Sequence, residues 1–220
     1  MKLNKVMALA LSGLMAVSML AGCAGDPSNG DGGNTEVTPP ASNAVSVMND
    51  AQSVVKFGAD NDFESAVVAA AKDAKYTDVN SANYTASGVS NSDKVFASLE
   101  DKLPVADGMY ASNSAIMSFK AAAPGTVTTK TTIYKVKNEG LTEEAALKQV
   151  ATKMDMDDTY PTVVSQWNAS TSKSDYYEVS YTGSVSIVTV NTADEGKTAS
   201  AYYIAVQVTQ NVARDAIVIG

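Results

Sequence analysis

The residues able to do chemistry in this chain are few, and their types narrow it further. There is no histidine, and Cys23 is the single cysteine. The commonest general base and the commonest transition-metal ligand are therefore missing. A Ser-His-Asp triad, a Cys-His pair and a His-based zinc site are excluded. Carboxylate, lysine, serine and tyrosine chemistry is left. Two Ser-x-x-Lys spacings occur, Ser53 with Lys56 and Ser170 with Lys173. A serine nucleophile with a lysine base one helical turn away can form an acyl-enzyme. Neither pair precedes a strong helix, and the companion Ser-Asp-Asn and Lys-Thr-Gly elements are missing. Lys197-Thr198-Ala199 departs from the second of these at its third residue. Chance alone produces about one or two such spacings in a chain this rich in serine and lysine. No catalytic residue is assigned.

Asp155, Asp157 and Asp158 form the densest acidic cluster. They have oxygens to offer Ca²⁺, but a calcium loop of the EF-hand kind also needs a glycine and a distal glutamate. A solvated loop after a helix accounts for the run, and no metal or cofactor is expected. Scattered carboxylates can also pair as a glycosidase site, at a separation of roughly 5–10 Å. The sequence places no two of them together. The chain has ten tyrosines, and Tyr176, Tyr177, Tyr181, Tyr202 and Tyr203 fall on C-terminal strands. Such tyrosines either make a face for sugar rings or peptides, or pack across strands with their hydroxyls in water. Tyr176, Tyr203 and Trp167 are the candidate ligand face. Trp167 borders the polar run Asn168 to Ser174 and is expected to plug the edge of the core.

The N-terminus carries the sharpest signal. Lys2 and Lys5 form a positive n-region, Val6 to Leu20 an apolar h-region, and small residues lead into the lone cysteine in Leu20-Ala21-Gly22-Cys23. This is a secretory signal with its processing site. It resembles the bacterial lipoprotein signal with its lipobox. The resemblance covers only residues 1–22 and Cys23. It implies cleavage before Cys23, a diacylglyceryl thioether on that sulfur and usually a third acyl chain on the new N-terminus. Two or three chains make a stable anchor, where one holds marginally. The apolar stretch, about fifteen residues, falls short of the roughly 20 that span a bilayer. The expectation is an exported domain, anchored by acyl chains on the extracytoplasmic face of the membrane. A lipidated Cys23 leaves no thiol for a disulfide, so the domain must stand on its core.

The formal charge of −8 becomes about −10 once Lys2 and Lys5 are removed with the signal. The remaining basic residues are scattered, whereas a nucleic-acid binder needs a clustered footprint. Residues 23–45 hold Asp26-Pro27, Gly32-Gly33 and Pro39-Pro40 and almost nothing apolar. They read as a disordered tether. Residues 46–220 read as a single α+β domain.

Three helices are expected. Phe63, Val67, Ala70 and Ala74 share a face over Asp62–Lys75, with Asn61 and Glu64 as a capping pair. Val95, Leu99 and Leu103 do so over Asp93–Leu103, with Ser92 as cap and Pro104 as stop. Leu147, Val150, Ala151 and Met154 do so over Glu143–Met154, capped by Thr142. Asn80 to Asn91 reads as a polar loop. Alternation over Ala115–Ala121, a turn at Pro124-Gly125 and the β-rich run Thr126–Lys137 read as a hairpin. Tyr177–Tyr181 alternates, and Val185–Asn191 is apolar on both faces, as in a central strand. After the turn Ala193–Lys197, Tyr202, Ile204, Val206 and Val208 alternate with Tyr203, Ala205, Gln207 and Thr209. Tyr202, Ile204 and Val206 are expected inward; Tyr203, Gln207 and Thr209 are expected outward. The fold class is an antiparallel sheet with about three helices packed on it and a C-terminal β-hairpin.

In its order of elements the domain is similar to the CAP, or cysteine-rich secretory protein, domain. There Phe57–Ala74 would be the first helix, Glu143–Met154 a later one and Val185–Val208 the closing hairpin. That family's cleft histidines have no counterpart here. The resemblance implies at most a degenerate module without its metal cleft. The leading expectation is a non-catalytic binding or assembly role at the cell envelope, with a protein, peptide or carbohydrate ligand. The alternative is a carboxylate-based hydrolase of envelope or dietary polymers.

Overall fold

The computed structural model describes residues 35–38, 43–103, 119, 122–154 and 160–217. The elements are β1 (Thr35–Thr38), α1 (Ala44–Ala51), β2 (Lys56–Gly58), α2 (Asn61–Ala71), α3 (Tyr76–Asn80) and β3 (Ser87–Gly88). Then come α4 (Lys94–Lys102), β4 (Val127–Lys137), α5 (Glu143–Met154), β5 (Val163–Asn168), β6 (Lys173–Asp194) and β7 (Lys197–Val212). The result is an α+β domain in which helices pack on a largely antiparallel sheet.

The long strand β6 organises it. One edge of β6 pairs with β7 from Val179 to Asp194, and β7 hands on to β4 and β3. Its other edge carries three strands in succession. β5 lies against Lys173–Glu178, β2 against Thr182–Ser184 and β1 against Thr189–Thr192; only β2 runs parallel to it. The sheet is buried on both sides. Met48 of α1 and Leu147, Val150 and Met154 of α5 pack with Ile187, Ile204 and Val206. Phe63 and Val67 of α2, Val79 of α3 and Phe96 and Leu99 of α4 pack with Ile133, Val188, Val190 and Tyr203.

Local chemistry explains the boundaries. Glu195 and Gly196, at φ of 45° and 80°, make the two-residue turn from β6 to β7. A positive φ at both positions gives the twist that flanking strands require. β6 passes straight through Gly183, so the Tyr177–Tyr181 and Val185–Asn191 segments are one strand. A Cβ at Gly183 would collide with the Gln207 carbonyl oxygen and press on Phe57. The Asn49 side chain bonds both the N–H and the C=O of Phe57, holding β2 as a neighbouring strand would.

The three expected helices are present. Thr142 caps α5 by accepting from Ala145 N. The other caps sit one residue away from the expected positions: Asp60 accepts from Phe63 N, and Asp93 from Val95 N. α1 and α3 are additions. β3 lies in the stretch read as a polar loop. Thr35–Thr38 lies in the stretch read as tether and yet forms a strand, because the open edge of β6 supplies backbone partners that need no apolar bulk. The expected strand Ala115–Ala121 falls, apart from Phe119, outside the described residues. Among the described residues β4 has β7 and β3 as neighbours.

One expectation about faces is corrected. Ile204 and Val206 are fully buried, and Tyr203 does face opposite to Tyr202. Tyr203, however, is also fully buried, because α3 and α4 cover its side of the sheet. Gln207 and Thr209 are half-buried and bond to Thr131 and Thr129.

Candidate functional site

β5 and the first residues of β6 form an arm that runs on past the end of β7. Its turn is set by Asn168, whose amide oxygen accepts from Ser170 N and whose amide nitrogen donates to Asp175. The register places Val163 opposite Glu178, Ser165 opposite Tyr176 and Trp167 opposite Ser174. Opposed residues share a face. Ile217 joins that face through its bridge to Tyr176. Trp167 is 64% exposed, Val163 42%, and Tyr176 and Ile217 38% each. These are four of the six exposed large apolar side chains among the described residues. The opposite face of the arm is anchored at its base by Val164 and Tyr177, which reach the core.

Of the three residues expected to make a ligand face, the structure joins Trp167 and Tyr176 and removes Tyr203. Trp167 does not plug the core edge: it lies beyond the helices and beyond β7. The Tyr203 hydroxyl instead donates to Asp93 Oδ2 at 3.4 Å. Burial and the nearby Asp93 and Asp78 carboxylates push its phenol well above the usual range.

Lys135 centres a buried polar network that the sequence reading missed. Its Nζ donates to Asp93 Oδ2 at 2.9 Å, to the Asp78 carbonyl at 2.8 Å and to Ser81 Oγ at 2.8 Å. A lysine inside the apolar run Ile133-Tyr134-Lys135-Val136 was the available signal, since such a residue is rarely buried without a partner. Ser81 beside Lys135 is a serine-lysine pair in space. All three ammonium protons are engaged, so this lysine has no lone pair to accept a serine proton. The Ser-x-x-Lys spacings lie elsewhere. Ser53 and Lys56 are exposed on a bend and the start of β2, and Ser170 lies in the arm's turn with Lys173 at the start of β6; neither pair sits on a helix.

Two larger depressions lie elsewhere on the domain. One, about 400 Å³, is lined by Glu36, Glu139, Asn191, Thr198 and Ser200 at the tip of the β6–β7 hairpin. It contains two carboxylates, and Tyr84 donates to one of them, Glu139 Oε2, at 3.3 Å. The other, about 710 Å³, runs between the α1–β2 connection and β6 and is lined by Ser53, Lys56, Tyr160 and Tyr181. Among the described residues the buried Tyr160 hydroxyl has no hydrogen-bond partner. Its ring packs in an aromatic cluster with Phe119 and Tyr181.

Cys23, with Leu20, Ala21 and Gly22, and Asp155, Asp157 and Asp158 lie outside the described residues. Among the described residues no helix is long and apolar enough to cross a membrane. The chain matches no known protein family, no characterised protein and no solved structure.

Proposed function

We propose that this is a lipid-anchored cell-envelope protein with a non-catalytic binding or assembly role, and that the β5–β6 arm is its binding element. The observation that carries the reading is the apolar face of Val163, Trp167, Tyr176 and Ile217. Isolated exposed apolar residues are ordinary, whereas a contiguous group marks an interaction surface. The layout supports it. β1 enters at Thr35, paired with Thr192, near one end of β6; Tyr176 is near the other. At about 3.3 Å per residue these points are roughly 50 Å apart along the strand. The arm and the point where β1 joins the sheet are thus at opposite ends of β6.

Anchoring is tested first. The exported chain should partition into the detergent phase, and Cys23→Ser should release it or block its processing. An intact mass showing an unmodified Cys23 would overturn the anchor. The arm is tested with Trp167→Ser plus Tyr176→Ser. Both side chains are exposed, so melting should barely move, while retention on isolated envelope fragments should fall at least about tenfold. Undiminished retention removes the arm as the binding element.

The carboxylate hydrolase is the second reading, favoured only by Glu36 and Glu139 in one depression. That depression lies where the tether enters. The likeness to the CAP domain gains nothing from these observations.

A further inference from the structure

We infer that the partner of the arm is a second copy of this chain, joined to it strand to strand along the open edge of β5. The inference rests on the reading of the arm as a binding element and adds its partner. The Thr162 carbonyl accepts from Val179 N at 2.8 Å. Backbone direction alternates along a strand, so Val164, Gln166 and Asn168 turn their N–H and C=O groups toward β6. Val163, Ser165 and Trp167 turn theirs to the open edge. Among the described residues nothing pairs with those groups. Natural proteins guard such an edge with lysine, proline, a bulge or a covering element. β5 reads Val-Val-Ser-Gln-Trp-Asn in unbroken register. It has no charge and no proline. In a chain of net charge −8, this is a rim on which two copies can meet without opposing like charges.

The edge is complementary to itself. Two antiparallel β5 strands related by a twofold axis normal to the sheet must match residues of the same face. Centred on Ser165, the pairing sets Val163 against the second copy's Trp167, Trp167 against its Val163, and Ser165 against its Ser165. All the open backbone groups of these residues then find partners. Each tryptophan gains a β-branched neighbour, a favourable cross-strand pair. A register centred on Val163 or Trp167 leaves part of the edge unpaired. This is strand addition with the chain as its own ligand. The two domain bodies lie at opposite ends of the seam, so the joined pair would lie along a membrane surface. Co-anchored copies meet there at high effective concentration.

The test uses the acylated mature protein in phosphatidylglycerol-containing vesicles, where an introduced cysteine is the free thiol. Ser165→Cys should be joined by a short bismaleimide into a dimer for most of the protein, because the paired Cα atoms lie about 5.5 Å apart. Ser174→Cys, one strand back and about 20 Å from its twin in this register, should stay monomeric. Ser165→Pro removes an outward N–H and no bond to β6, a position where an edge strand tolerates proline. It should keep the melting temperature and lower the dimer fraction at least about tenfold, as read by mass photometry. A monomeric Ser165→Cys protein overturns the inference, and so does equal crosslinking through Ser174→Cys. Failure to crosslink alongside a Trp167→Ser effect on envelope retention would sink the self-pairing and leave the arm's binding role standing. Crosslinking with unaltered retention would leave the self-pairing standing and overturn binding of the arm to other envelope components.

Discussion

Asp93→Ala should destabilise the domain by about 3–5 kcal/mol, because it strands a buried ammonium. The side chains of Lys135 and Asp93 are 11% and 2% exposed. The remaining Lys135 donors reach the Asp78 carbonyl and Ser81, and neither is an anion. The same substitution removes the cap on Val95 N at the start of α4. A whole domain has about 5–15 kcal/mol of stability, so the loss should be visible in urea at neutral pH. The double variant Asp93→Ala with Lys135→Met should recover much of it, since a buried ion pair replaced by apolar groups is often neutral. A single-variant loss below about 1 kcal/mol would mean that water reaches Lys135. Alkaline pH probes the same place. The Tyr203 phenol is held above its ordinary value of about 10 in the fold. Its stabilising effect is full below that pH and is lost as pH rises beyond it, because the unfolded phenol ionises first.

Ile204→Ala should cost about 2–5 kcal/mol, the transfer term plus the cavity left between α1, α5 and the sheet. Ile204 is fully buried among Met48, Leu147 and Ile187. Tyr203→Ala should be comparably costly from the opposite face, through its ring and its hydroxyl contact with Asp93. Gln207→Ala loses one hydrogen bond to Thr131 and should cost about 1 kcal/mol. Chemical melts of the three variants check the ranking. A stable Tyr203→Ala protein would mean that α3 and α4 are loosely docked.

Tyr203 shows how far the sequence could be read. Strict alternation placed Tyr202 and Tyr203 on opposite faces, and that is correct. Alternation is silent on what covers each face, and here both are covered. The clue was the unbroken apolar run Tyr202–Val206, which suits a strand between two layers better than one at a surface. α2, α4 and α5 were legible because their apolar stripes recur at helical spacing. α1 and α3 are shorter, eight and five residues, and end before an apolar stripe can recur over several turns. Trp167 was misjudged because large aromatics are usually well buried; only the register reveals that the arm outruns both helical layers. Trp167 and Tyr176 were named as a ligand face from residue type alone. Their shared face follows from a pairing that sequence does not specify, as do the contacts of Lys135.

The length of β6 has a mechanical consequence. If the chain is held at its N-terminal end and pulled at the arm, the force runs along the strand axis. β6 is joined to β7 by sixteen residue pairs, which lie off the load path. β1 takes the load in shear against β6, through four pairs only. It should slip first, lengthening the leash while the long hairpin stays closed. The strand that builds the sheet thus doubles as a strut, and its shortest partner as a mechanical fuse.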